Sequence, residues 1–198
     1  MKNEETHELT FRDGSDKTPA ERNVADEYRH IHDVLAIRAA LAEKRHAFVN
    51  VCMNLTSDFN KSTVIRTANA FLARETWLVG KRKFDPRGTV GTHHYETIKH
   101  ADEWSEVRDI LRADGYTIFA VDNIYEFTPV SLYETEFPEK SAFVYGEEQL
   151  GLSEDVIRDC DAMVYIPMQG TVRSLNAATA AGIIMSEYVR QHQFSASA

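Results

Sequence analysis

At 198 residues, with 43% hydrophobic and 27% charged side chains, the chain is sized for one α/β domain plus a short extension, and general disorder is excluded. No run of about 18 apolar residues occurs, which excludes a transmembrane helix. The formal charge of −9 argues against non-specific polyanion binding as the whole function.

Residues 1–17 are polar and acidic, with no apolar core, so they are expected to form a mobile tail and not a secretory signal. Thr18-Pro19-Ala20-Glu21 reads as a capping box with proline at the first helical position. Val24, Tyr28, Ile31, Val34, Leu35, Ile37 and Leu41 then recur at helical spacing, which predicts a helical extension over 18–45. From residue 46 onwards a single domain is expected. Apolar runs at 47–53, 76–80, 116–121, 141–145 and 162–166 read as strands. Helices are predicted over the stretch beginning at Thr56, around 103–114 up to Gly115, after Ser153, and from about Ser174 to Gln191. Strands that are apolar throughout and alternate with helices imply an α/β fold: a mostly parallel sheet with helices on both faces.

Ligands of such sheets sit beyond the carboxyl ends of the strands. Three loops there combine polar residues with glycine or a helix start. They are 54–61, leading into a helix that carries Arg66; 146–153, Gly-Glu-Glu-Gln-Leu-Gly-Leu-Ser; and 166–176, Ile-Pro-Met-Gln-Gly-Thr-Val-Arg-Ser-Leu-Asn. Glycine allows close backbone approach, so the loops suit an adenosine-type cofactor held by main-chain groups. Neither G-x-G-x-x-G nor a P-loop motif is present. Taken singly, each loop is equally an ordinary strand–helix turn. By spacing alone, Asn60 and Ser174 read as helix N-caps, and Arg66 as a surface arginine.

Charge is unevenly distributed. Residues 120–161 hold 11 acids and 2 bases, while 61–87 hold seven bases and two acids, a local +5. In the latter, Lys81, Arg82, Lys83 and Arg87 stand among glycines, hydroxyls and aromatics, which suits phosphate contact and base stacking. His93-His94 lacks a neighbouring cysteine or acidic cluster, so no metal is expected. Cys52 and Cys160 form no CxxC or disulfide framework and read as buried thiols in a reducing cytoplasm.

Together, in this order and spacing, the three loops resemble motifs 1, 2 and 3 of the SpoU (TrmH) branch of the SPOUT methyltransferases, over about residues 47–192. Lys61-Ser62, Leu72 and Ala177-Ala178 depart from that pattern. The resemblance implies a C-terminal deep trefoil knot, here roughly 141–185, and methyl transfer from S-adenosylmethionine to a ribose 2′-hydroxyl of RNA. tRNA is the expected substrate. rRNA methylation, or a knotted RNA-binding protein without catalysis, are the alternatives. The resemblance also implies a homodimer in the cytoplasm. Arg66, Asn60, Glu148, Ser174 and Asn176 are then the expected catalytic residues, with Arg66 acting as base or as phosphate clamp. Tyr145, Gly146, Glu147, Gly151, Leu152, Ile166, Met168, Ser174, Leu175 and Asn176 are expected to hold the cofactor. Lys61, Lys81, Arg82, Lys83, Arg87 and Arg173 are expected to contact RNA. The alanine- and glycine-rich face of the last helix is expected to support the dimer.

Overall fold

A computed structural model describes residues 24–31 and 33–194. The expected tail and the capping box at Thr18 lie outside these residues. Among the described residues, one sheet of seven parallel strands organises the chain: β1 (Val49–Met53), β2 (Glu75–Val79), β3 (Ile98–Ala101), β4 (Thr117–Val121), β5 (Val130–Ser131), β6 (Ser141–Tyr145) and β7 (Ala162–Tyr165). Their spatial order is β3-β2-β1-β6-β4-β7-β5. The helices are α1 (Val34–Ala42), α2 (Asp58–Ala70), the single turn α3 (Pro86–Thr89), α4 (Trp104–Ala113), α5 (Glu154–Arg158) and α6 (Ala177–Val189).

Every residue of β1, β2 and β6 is buried, as expected for strands covered on both faces. Alternation along β1 sends Val49, Val51 and Met53 to one face and Cys52 to the other. The first face packs on Trp104, Val107 and Leu111 of α4 and on Val156 and Ile157 of α5. The second packs on Val64, Ile65 and Ala68 of α2 and on Ile184, Met185 and Tyr188 of α6. Helices therefore cover both faces, as the strand pattern requires.

Two edge strands, β3 and β5, escape a reading based on apolar runs. Only Ile98 and Ala101 of β3 are buried, and β5 has just two residues, one of them exposed. The N-terminal extension also differs from the expectation. A 3-10 turn at Asp26–Tyr28 stands apart from α1, and the helix starts afresh where the Asp33 carboxylate accepts the Leu35 N–H at 3.0 Å. A local N-cap thus interrupts an apolar repeat that continues through it. Val34, Ile37 and Leu41 form a small cluster with Tyr95, and Arg45 just beyond pairs with buried Glu96 at 2.7 Å. Gly115, at φ +77°, closes the turn after α4, and Ser153 caps α5.

Candidate active site

Four chain segments meet beyond the carboxyl ends of the central strands: those after β1, β4, β6 and β7. After β1, the Ser57 hydroxyl accepts the Asn60 N–H at 3.2 Å and caps α2. Asn60 is therefore not the cap. It lies in the first turn, with its amide free to reach the other loops.

After β6, the chain folds back on itself. Glu147 N–H donates to Gly151 O at 3.2 Å, and Gly151 N–H donates to Glu147 O at 2.9 Å. A Cβ on Gly146 would lie 2.3 Å from Gly151 C, and Gly151 sits at φ +68°. These glycines serve the closure of the loop itself, and both also line the cavity described below. The closed loop presents Glu148 to the β1 loop. Its carboxylate accepts the N–H of Thr56 at 2.9 Å, the Thr56 hydroxyl at 2.9 Å, the N–H of Ser57 at 3.1 Å and the Asn60 amide at 2.8 Å. Partial burial pushes the Glu148 pKa up, but these donors outweigh it, led by the Thr56 backbone and the Asn60 amide, and bring it down to about 2.

After β7, residues 166–176 run to α6. Asn176, not Ser174, is the N-cap: its Oδ1 accepts the N–H groups of Ala178 at 3.0 Å and Thr179 at 3.2 Å. Its Nδ2 donates to Asn60 Oδ1 at 3.0 Å. Asn176, Asn60 and Glu148 thus form one chain of hydrogen bonds that joins all three loops.

Beside this chain lies a cavity of about 500 Å³. It is lined by Tyr145, Gly146, Glu147, Gly151, Ile166, Met168, Ser174, Leu175 and Asn176 among the expected cofactor residues, and by Glu148 and Arg173. Leu152 does not line it: the side chain is buried, and its N–H donates to Asp122 Oδ2 at 3.2 Å. The sequence reading missed the end of β4. Asp122 and Asn123 both line the cavity. Asn123 Nδ2 donates to Arg173 O at 2.6 Å, so the two residues fasten the β6 and β7 loops to β4. The available signal was their position directly after a buried strand.

The cavity suits an adenosine cofactor. It combines apolar walls from Val121, Ile124, Val164 and Ile166 with glycine-loop backbone and the carboxylates of Asp122, Glu147 and Glu148, within the ordinary size range for small-ligand sites. A larger cavity of about 880 Å³ opens at the opposite ends of the strands, beside Arg38, Arg74 and Glu139. None of the three loops reaches it, so the chemistry is assigned to the smaller one.

The remaining expected residues are spread differently. Arg66 is exposed on α2, outside the cavity, with no hydrogen bond or ion pair among the described residues. Lys61 departs from its expected RNA contact. It is 1% exposed, and its ammonium lies 3.1 Å from Asp58 and 3.3 Å from Lys81 O. The i,i+3 spacing folds it inward onto Asp58, so no phosphate can reach it. Lys81, Arg82 and Lys83 are exposed, while Arg87 is gripped by the Asp85 carboxylate through Nε at 3.0 Å and a terminal nitrogen at 2.6 Å. The small residues of α6 are spent within the chain: Ala178 and Ala181 are buried, Ala177 and Ala180 line the cavity, and Gly182 faces Thr67. Burial pushes both thiols up to about 12, which leaves Cys52 and Cys160 inert.

A parallel α/β domain whose strand-end loops close one small-ligand cavity, locked by a carboxylate and two asparagines, defines a class of cofactor-binding enzyme domains. Within it, this chain belongs to the SpoU rRNA Methylase family, whose profile matches residues 47–186. It is 28% identical over 149 residues to the tRNA (guanosine(18)-2′-O)-methyltransferase of Thermus thermophilus, covering 70% of this chain and 72% of that enzyme. It is 36% identical over 80 residues to the mouse tRNA (guanosine(18)-2′-O)-methyltransferase TARBP1, covering 40% of this chain and 5% of that protein. The SpoU methyltransferase AviRb of Streptomyces viridochromogenes, solved with the cofactor AdoMet, superposes with a TM-score of 0.67 at 29% identity, over 75% of this chain and 62% of that one.

Proposed function

We infer that the chain transfers a methyl group from S-adenosylmethionine to a ribose 2′-hydroxyl of tRNA, with guanosine as the favoured nucleoside. The observation that carries this reading is the hydrogen-bonded union of Asn60, Glu148 and Asn176 beside a cavity of cofactor size. Family membership and the names of the relatives support the reaction type and the substrate.

The cofactor supplies an electrophilic methyl group on a sulfonium. The protein's part is to orient the ribose oxygen in line with it and to keep the geometry fixed. Gly146, Gly151, Ile166, Met168 and Leu175 would hold the cofactor; Ser174 also lines the cavity, and Asn176 joins it to Asn60. Glu148 stays ionised and ties the substrate-side loop to the cofactor loop. Arg66 is assigned to a phosphate of the RNA. A guanidinium is permanently charged and grips phosphate through paired donors. Lys81, Arg82, Lys83 and Arg173 extend that contact. A homodimer places a second subunit at the open side of the site. Exposed Phe59, Leu150 and Val172, which surround the cavity and α2, supply apolar surface for it. The segment 141–185 is assigned a trefoil-knot threading, supported by the insertion of β6 between β1 and β4. A cytoplasmic setting agrees with two free cysteines and with the finding that no described helix is long and apolar enough to cross a membrane.

The test uses the purified chain with methyl-labelled S-adenosylmethionine and, separately, bulk tRNA and rRNA. The expected result is label in 2′-O-methylnucleosides from tRNA. Label on a base, or none on either RNA, overturns the reading, and label in rRNA alone moves the substrate.

A further inference from the structure

We propose that Asp122 receives the vicinal ribose hydroxyls of the methyl donor and makes the cavity selective for a ribosyl over a deoxyribosyl ligand. This rests on the reading of the cavity as the S-adenosylmethionine site. Asp122 follows β4 directly and is the carboxylate that lines the cavity on the β4 side. Two of its acceptor positions are taken: Oδ1 by the N–H of Asn123 at 2.8 Å and Oδ2 by that of Leu152 at 3.2 Å. A carboxylate offers about four such positions, so one on each oxygen is left. Two neighbouring acceptors match the two adjacent O–H donors of a ribose diol. The same chemistry reads ribose hydroxyls at strand ends of dinucleotide folds.

Place in the sheet assigns the ribose to this carboxylate in preference to the methyl-bearing end. The chain that includes Asn60 and Glu148 stands over β1 and β6. Asp122 stands over β4, two strand spacings from β1, or about 10 Å. The reacting end belongs beside Asn60, where the RNA-facing helix α2 begins. The sugar then falls over β4, and the base over β7, against Val164 and Ile166. Gly151 completes the arrangement: a Cβ there would lie 2.8 Å from Asp122 Oδ2 and block the carboxylate.

The test measures calorimetric affinity of the whole chain for S-adenosylhomocysteine, its 2′-deoxy analogue and 5′-methylthioadenosine. Wild type, Asp122→Asn and Asn123→Ala are compared, with circular dichroism to confirm folding. In the wild type the deoxy analogue is expected to bind at least about tenfold more weakly, as for a lost hydrogen bond to a charged group. In Asp122→Asn that ratio falls to about twofold or less. Asn123→Ala loosens the Arg173 loop, weakens all three ligands alike and keeps the wild-type ratio. The same deoxy penalty in wild type and Asp122→Asn overturns the proposal but leaves the methyltransferase reading standing. So does an Asp122→Asn effect confined to the homocysteine moiety, seen against 5′-methylthioadenosine. Failure of wild type to bind any of the three overturns both.

Discussion

Replacing Glu148 by glutamine keeps the shape of the side chain and removes its charge. The carboxylate accepts from four donors, at 2.8 to 3.1 Å. A glutamine oxygen has two acceptor positions, and its NH₂ would face another donor. A fall from the ordinary 4.5 to about 2 corresponds to at most about 3 kcal/mol of linkage. The group is only partly buried, and solvent screening reduces this to roughly 1–2 kcal/mol. The pKa in the folded state lies below that in the unfolded state. The stabilisation is therefore complete above about pH 4.5 and drains away as pH falls towards 2. Urea unfolding of wild type and Glu148→Gln at pH 7, 4 and 3 should show a difference of about 1–2 kcal/mol at pH 7 that shrinks steadily below about pH 4.5. The same difference at pH 7 and pH 3 would refute the reasoning, because the carboxylate would then not be held ionised by the β1 loop.

Arg66→Ala should lower turnover more than tenfold, about 1.4 kcal/mol or more, while S-adenosylhomocysteine affinity stays within about twofold, because Arg66 lies outside the cavity. Unchanged turnover would remove it from the reaction. The triple change of Lys81, Arg82 and Lys83 to alanine should flatten the salt dependence of tRNA binding by about 0.7–0.9 in log–log slope for each phosphate that is no longer neutralised. Arg87→Ala should change it less, since Asp85 already holds that guanidinium. Arg45→Ala leaves Glu96 buried and charged, and should cost about 3–5 kcal/mol in unfolding free energy. Adding Glu96→Gln should recover part of that loss, and a double variant no more stable than Arg45→Ala would contradict the pairing.

Local signals carried much of the fold. Largely apolar runs such as 141–145 announce strands buried on both faces, Gly115 marks a helix stop, and Ser153 marks a start. The same signals exposed the three loops at the strand ends, and the family's motif order made them a site. Edge strands β3 and β5 were invisible because an edge needs little burial and shows no apolar run. Lys61 turns inward on Asp58 one turn back and on a carbonyl 20 positions ahead, and Asn176 caps α6 with one side-chain atom while Asn60, brought in from afar, accepts from the other. Asn60 and Glu148 lie 88 positions apart, and Asn60 and Asn176 lie 116 apart. The first hydrogen bond follows from β6 lying next to β1 and from the register between them, the second from α6 packing beside α2. The same strand order sets β4 between β6 and β7, so Asp122 and Asn123 reach both loops. Hydrogen bonds need alignment to within tenths of an ångström, and no spacing along a chain encodes that across such separations; only the assembled sheet does.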